Sequence, residues 1–411
     1  MESYSYLHLG EPEDPDRNVV CRYRVTTDLS MEKAAEAIAA EQSTGTWTGI
    51  STLDRSIFDG LGARITSIDG DVITCEFPAE DFSIETGAVP QILSVIAGNL
   101  FGLGALKAVR LEDVTFPKSI LEQFKGPKFG AEGIRKALKR PEEPLVGTIV
   151  KPKIGLSPEK TAEYVYEAGS GGLTNSKDDE TLVDQSFCPI EDRTIRVAEA
   201  LDRLEEEEGR MMMHAVNVST RSDRIVELAE KVQGWGAREI MIDVITCGYG
   251  CLQALAEDPS IKVPIHVHRT MHGAFTKDPR HGINMLVLSK LVRMVGGDAL
   301  HIGTLGVGKM AAGAHDDSNL KACLGDDVPY KTVMPVCSGG VHPSLVADII
   351  ARSGMDVQIQ AGGGVAGHPG GVRAGAMAMS QAVHAAYEGI PAAEYAESHP
   401  ELRIALERWP R

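Results

Sequence analysis

From about residue 140 onward the chain repeats one unit: a short β-rich apolar run, a polar or glycine turn, then an amphipathic helix. Eight runs are read, at 144–153, 172–177, 211–219, 239–244, 263–269, 299–304, 332–339 and 357–364. The spacing predicts helices after them, around 158–169, 190–207, 221–233, 249–257, 281–295, 316–324, 343–352 and 368–389. Continuous apolar runs such as Glu239-Ile240-Met241-Ile242-Asp243-Val244 fit strands buried on both faces. Eight alternating units predict an α/β chain closed into a (β/α)8 TIM barrel, followed by a last helix over 391–408. Residues 1–125 read differently, as a small α+β domain. Strands are expected at 19–25, 72–77 and near 108–111. Helices are expected at 30–41, with Ser30 as N-cap, and at 91–99. The Gly- and Pro-rich stretch 124–130 is the connector, so the expected domains are 1–125 and 126–411.

A length of 411 residues allows one large barrel or two domains. The net charge of -17 argues against nucleic acid or an anionic membrane as partner. Any phosphate site must then be local, built from a few Lys and Arg side chains and backbone N–H groups. The start Met1-Glu2-Ser3-Tyr4 lacks a basic segment and an apolar segment, and no run of 18 apolar residues occurs. The seven cysteines are scattered, with no CxxC pair. Reduced, mostly buried thiols in a cytoplasmic protein are the expectation.

Barrel enzymes place their chemistry at the C-terminal ends of strands. The second run ends in Lys177-Asp178-Asp179-Glu180. In an extended segment Lys177 and Asp179 share a face, and Glu180 can join them where the chain turns. Two carboxylates beside a third oxygen donor suit Mg2+. Lys177 can be that donor only as a carbamate formed with CO2. By itself the motif also reads as a solvated acidic turn. The other ends carry Lys151-Pro152-Lys153, His266-Val267-His268-Arg269, His301, Ser338-Gly339-Gly340 and Gly362-Gly363-Gly364. Glycine loops after the seventh and eighth strands commonly cradle phosphate. Arg269 and His301 could make a second anion site. Two phosphate sites flanking one metal suggest a bisphosphate substrate. Lys309, in a glycine-rich loop, could act from a mobile lid.

With these motifs in place, the chain resembles the large subunit of ribulose-1,5-bisphosphate carboxylase/oxygenase. The resemblance extends over nearly the whole length. It includes the strand-end motifs above, His268-Arg269-Thr270-Met271-His272, and Gly362-Gly363-Gly364-Val365-Ala366-Gly367-His368-Pro369. It also includes Glu41-Gln42-Ser43-Thr44-Gly45-Thr46-Trp47 and Gly98-Asn99-Leu100-Phe101-Gly102. Its length, its C-terminal segment and its Ser-Thr-Gly-Thr-Trp context look most like the archaeal form III group.

The resemblance implies a ferredoxin-like N-terminal domain and a carboxylase of ribulose 1,5-bisphosphate, with O2 as competing substrate. It implies Mg2+ held by Asp179, Glu180 and Lys177 as carbamate, and proton transfer by Lys151. Lys153 would support the metal site, and His268 would act in hydration and C–C cleavage. Arg269, His301 and Ser338 would hold one phosphate end. Thr46, Trp47, Gly340, Gly363 and Gly364, with the neighbouring Gly339 and Gly362, would serve the other. Lys309 would meet the carboxylate formed from CO2. Glu41 and Asn99 would complete the site of a neighbouring subunit, making a homodimer, or a multiple of dimers without small subunits, the working unit. The chain departs from the plant-type pattern at Ile149 and at Met310-Ala311-Ala312-Gly313 after Lys309. The second departure bears on lid closure and on CO2/O2 discrimination. A related enolase or isomerase acting on another sugar phosphate is the rival reading, and a non-catalytic phosphosugar-binding protein a more distant one.

Overall fold

A computed structural model of the chain describes residues 4–46, 48–307 and 316–410. It divides into two compact units: Met1–Lys125 with Met271–Met294, and Gly126–Thr270 with Val295–Arg411.

The first unit is built on a mixed sheet. Its strands are β1 (Asn18–Thr26), β2 (Arg64–Asp69), β3 (Val72–Pro78), β4 (Ala108–Thr115) and a late addition, β10 (Gly282–Ile283). Their order is β10-β4-β1-β3-β2, with β10 parallel to β4 and the other pairs antiparallel. Helix Met31–Gln42 begins where expected, because the Ser30 side chain accepts the Lys33 N–H. An unexpected short helix, Arg55–Leu61, follows, and the helix expected at 91–99 is longer, Ile84–Ala97, and bent. Pro90 has no N–H to give the preceding turn, and the chain leaves the helical region at Ala88, with φ of 43°.

The second unit closes β5 (Leu145–Ile149), β6 (Asn175–Lys177), β7 (Met213–Asn217), β8 (Glu239–Asp243), β9 (Ile265–His268), β11 (Ala299–Gly303), β12 (Met334–Ser338) and β13 (Gln358–Ala361) into a parallel barrel. Every expected run contains its strand. Each run also extends past its strand: β5 keeps five residues of 144–153, β6 keeps only three of 172–177, and 357–364 runs on into a helical turn, Gly363–Ala366. The single last helix expected over 391–408 is corrected to two, Ala392–Tyr395 and Pro400–Arg408. Pro400 cannot donate to a turn before it, so it starts a helix and does not continue one.

One end of the barrel is closed by helix Gly130–Leu138. Its Ala131, Ile134 and Leu138 join Leu145, Met213, Ala299, Met334 and Val336 in one buried cluster. Asp298 locks this floor. Its Oδ1 accepts the N–H groups of Phe129 and Gly130, both at 2.7 Å, and its Oδ2 accepts that of Ile265 at 2.9 Å. Asp298→Ala strands these donors and is expected to cost about 3 kcal/mol of unfolding free energy in urea. A loss under about 1 kcal/mol would show that water replaces the carboxylate at little cost.

Candidate active site

The opposite end of the barrel collects the reactive side chains. β6 ends at Lys177, whose side chain is 1% exposed. Burial pushes its ammonium down, against the pull of Glu180 and Asp179. Lys177 Nζ donates to the Asp178 carbonyl at 2.8 Å and lies 3.7 Å from Glu180 Oε2. Lys151, just beyond β5, donates to Asp179 Oδ2 at 2.9 Å, and Lys153 Nζ is 3.7 Å from Glu180 Oε1. Thr181 gives its N–H and hydroxyl to Asp179 Oδ1. Burial raises both carboxyls, but Lys151 at Asp179, and Lys177 with His268 at Glu180, hold them below the usual carboxylate range.

Asp178 turns the other way and is fully buried. Its Oδ2 accepts from Arg193 Nε and Nη2 at 3.2 and 3.1 Å and from the Asn217 N–H at 3.0 Å. Its Oδ1 lies 3.2 Å from His214 Nε2. Burial alone would raise this carboxyl; Arg193 and His214 hold it well below the carboxylate range. Asn217 also donates to the carbonyls of Asp179 and Glu180 at 3.4 and 3.3 Å, which fixes the turn carrying them.

Strand periodicity puts His266 and His268 of β9 on one face. His268 Nε2 is 3.8 Å from Glu180 Oε2, and its Nδ1 is 3.2 Å from Asp243 Oδ1 at the end of β8. His301 of β11 packs edge-on against both rings, with centroids at 4.9 and 4.7 Å. Burial and the neighbouring positive groups push His301 well below the usual histidine value, so it is neutral. Its Nδ1 lies 2.6 Å from Ser338 Oγ at the end of β12. Arg269 follows His268 directly.

The loops after β12 and β13 approach each other closely at Gly364. A Cβ on Gly364 would come within 2.4 Å of the Val341 carbonyl, and one on Gly362 within 3.0 Å of Lys151 Cε. Gly363 and Gly364 open the helical turn Gly363–Ala366, where N–H groups have no partner within the helix. Gly339 and Gly340 both adopt positive φ.

The structure thus brings Lys151, Lys153, Lys177, Asp179, Glu180 and His268 into one cluster, with His301 and Ser338 adjoining through His268. In the first unit Asn99 Nδ2 donates to Glu41 Oε1 at 3.1 Å, and Thr46 is exposed in the loop after the first helix. Trp47 and Lys309 lie outside the described residues. The sequence reading gave no role to Arg193, His214, Asn217, Asp243, Glu239 and His266, the last named only as part of a strand-end motif. A signal for three of them was present: Glu239, Asp243 and His266 are polar residues inside runs that otherwise read as buried strands.

Among the described residues no set of three His, Cys, Asp or Glu side chains could hold a metal ion. Asp179 and Glu180 supply two hard oxygen donors, and lysines sit where a third would be needed. As a carbamate, Lys177 would exchange a cation for an anionic oxygen donor beside Glu180. The donor set fits Mg2+ in that form.

Fold and site together define a (β/α)8-barrel enzyme with a lysine–carboxylate centre at the strand ends. Residues 130–409 match the family described as ribulose bisphosphate carboxylase large chain, catalytic domain, and residues 9–120 match its N-terminal domain. The ribulose bisphosphate carboxylase of Methanosarcina mazei is 39% identical over 424 residues, covering 98% of each chain. The octameric ribulose-1,5-bisphosphate carboxylase/oxygenase of Pyrococcus horikoshii, solved with sulfate, superimposes with a TM-score of 0.92 at 37% identity, covering 98% of this chain and 96% of that one. The dimeric archaeal Rubisco of Hyperthermus butylicus gives 0.88 at 37% identity, covering 98% of each. The chain belongs to the ribulose bisphosphate carboxylase large-chain family.

Proposed function

We propose that the chain carboxylates ribulose 1,5-bisphosphate with CO2 and water, giving two 3-phosphoglycerates, with O2 competing for the same enediolate. The observation that carries this reading is the buried Lys177 beneath Asp179 and Glu180, ringed by Lys151, Lys153 and His268. Burial favours the neutral amine of Lys177, the form that attacks CO2. The product is a carbamate and one released proton. Mg2+ bound by this carbamate, Asp179 and Glu180 would polarise the substrate's C2 carbonyl.

As a carbamate, Lys177 would take the C3 proton, and the enediolate would then add CO2 at C2. Water adds at C3 with His268 assisting, C2–C3 cleaves, and Lys151 protonates the last carbanion. Lys153 steadies Glu180. Arg269, His301 and Ser338 take one phosphate; Thr46, Trp47, Gly339, Gly340, Gly362, Gly363 and Gly364 take the other. Lys309 meets the new carboxylate. Glu41 and Asn99 serve the site of a partner copy, so the working unit is a homodimer or a multiple of dimers. The dimeric and octameric relatives support this. No small subunit is needed, and the cytoplasm is the expected compartment. Among the described residues no helix is long and apolar enough to cross a membrane.

The test is anaerobic incubation with ribulose 1,5-bisphosphate, Mg2+ and labelled bicarbonate. Labelled 3-phosphoglycerate is expected. Its absence, with enolisation of a methylthio-pentulose phosphate instead, would overturn the reading.

A further inference from the structure

A row of four polar side chains runs through the barrel interior from near its floor to its mouth, one strand at a time. Glu239 opens β8 and is fully buried, and neither carboxylate oxygen has a hydrogen-bond partner among the described residues. Its Oε1 lies 3.5 Å from His266 Nδ1 on β9. His266 Nε2 lies 2.8 Å from His301 Nε2 on β11, and His301 Nδ1 lies 2.6 Å from Ser338 Oγ on β12. These strands are consecutive around the barrel.

The row can be polarised in only two directions, because two ring nitrogens 2.8 Å apart must be one donor and one acceptor. A buried carboxylate without counter-charge is very costly, so the Glu239–His266 pair is held net neutral. A neutral pair has two protons to place over the carboxylate, Nδ1 and Nε2. Neither the carboxylate oxygens nor Nδ1 has any other partner among the described residues, so one proton is placed between the two facing groups, whichever atom holds it. The other must be on Nε2. His266 Nε2 therefore donates, and His301 Nε2 accepts. The single proton of neutral His301 is then on Nδ1, which donates to Ser338 Oγ, so His301 serves the phosphate end through the serine. Having accepted, the serine turns its own O–H away from His301 and toward the mouth. In the opposite direction Ser338 would spend its proton on His301 and offer only lone pairs, which repel an anion.

We propose that Glu239 is a positioning residue that acts through His266 and His301 to aim the Ser338 hydroxyl proton at an anionic oxygen of the substrate. This rests on the reading of Ser338 as a ligand of one phosphate end. It adds a residue at the far end of the barrel, which touches no substrate, to that anion site.

Neutron diffraction on the deuterium-exchanged wild-type protein tests the direction itself. Deuterium is expected on His266 Nε2 and His301 Nδ1; deuterium on His301 Nε2 overturns the proposal. This arm requires no variant to fold. The second arm measures inorganic phosphate as a competitive inhibitor. Glu239→Gln keeps the shape, but its amide can serve either direction. It is expected to weaken phosphate binding about three- to tenfold. The KM for the bisphosphate should rise by a similar factor, and by more than kcat falls. Wild-type phosphate affinity in Glu239→Gln, with weakened affinity in Ser338→Ala, overturns the relay alone. Unchanged affinity in Ser338→Ala overturns the assignment of Ser338 to the phosphate.

Discussion

Lys177→Ala is expected to lower carboxylase turnover by about 1,000-fold, the scale for losing a positioned general base. The substitution removes the one amine among the described residues that is fully buried against Glu180 and close to Asp179. Lys151 and Lys153 cannot replace it, because each is committed to a carboxylate from the solvent side, with side chains 27% and 59% exposed. Lys177→Met is the shape-matched control and should be equally inactive. A second readout does not depend on turnover. Protein equilibrated with 13C-labelled bicarbonate and Mg2+ should show a carbamate carbon resonance in the wild type and none in either variant. CO2-dependent activity persisting in Lys177→Ala would place the carbamate elsewhere.

Asp178→Asn is expected to destabilise the fold by about 3 kcal/mol, the scale for stripping one partner from a buried ion pair. Asp178 and Arg193 are both 0% exposed, so the guanidinium left behind cannot be rescued by water. Replacing both members, as Asp178→Leu with Arg193→Met, should recover most of the loss. Urea unfolding of the wild type and variants measures this; a loss for Asp178→Asn under about 1 kcal/mol would refute it. The sign with pH follows from the depressed folded value. The unfolded carboxyl titrates near ~3.9, so the contribution of Asp178 is complete above that pH. It disappears as acid protonates the folded group. Wild-type stability should fall below about pH 4 more steeply than that of the Leu/Met pair.

Much of the barrel is legible in the sequence because parallel strands covered on both faces must be apolar throughout. The run Glu239–Asp243 has no other reading once helices flank it. β2 escaped because Arg-Ile-Thr-Ser-Ile-Asp lacks a clear alternation, and β10, of two residues, is too short to leave a pattern. The order of the strand-end motifs made the cluster of Lys151, Lys177, Asp179, Glu180 and His268 readable. Side-chain direction was harder to read. Alternation along an extended segment turns Asp178 away from Lys177 and Asp179 but not toward any named partner; it points into Arg193, which a helix 15 residues later supplies. His214 and Asn217 lie inside a strand, where periodicity assigns a face but not a partner.

The short strand β10 has a consequence for the order in which the molecule is made. β4 is finished at residue 115, yet its outer neighbour arrives only at Gly282–Ile283, together with Asn284 and Lys290, which bind Glu112 and Asp113. While the ribosome builds five barrel strands, the nascent N-terminal sheet carries an open edge of unpaired backbone groups. A chain stopped at residue 125 would keep that edge permanently. The first unit to emerge is among the last to be finished.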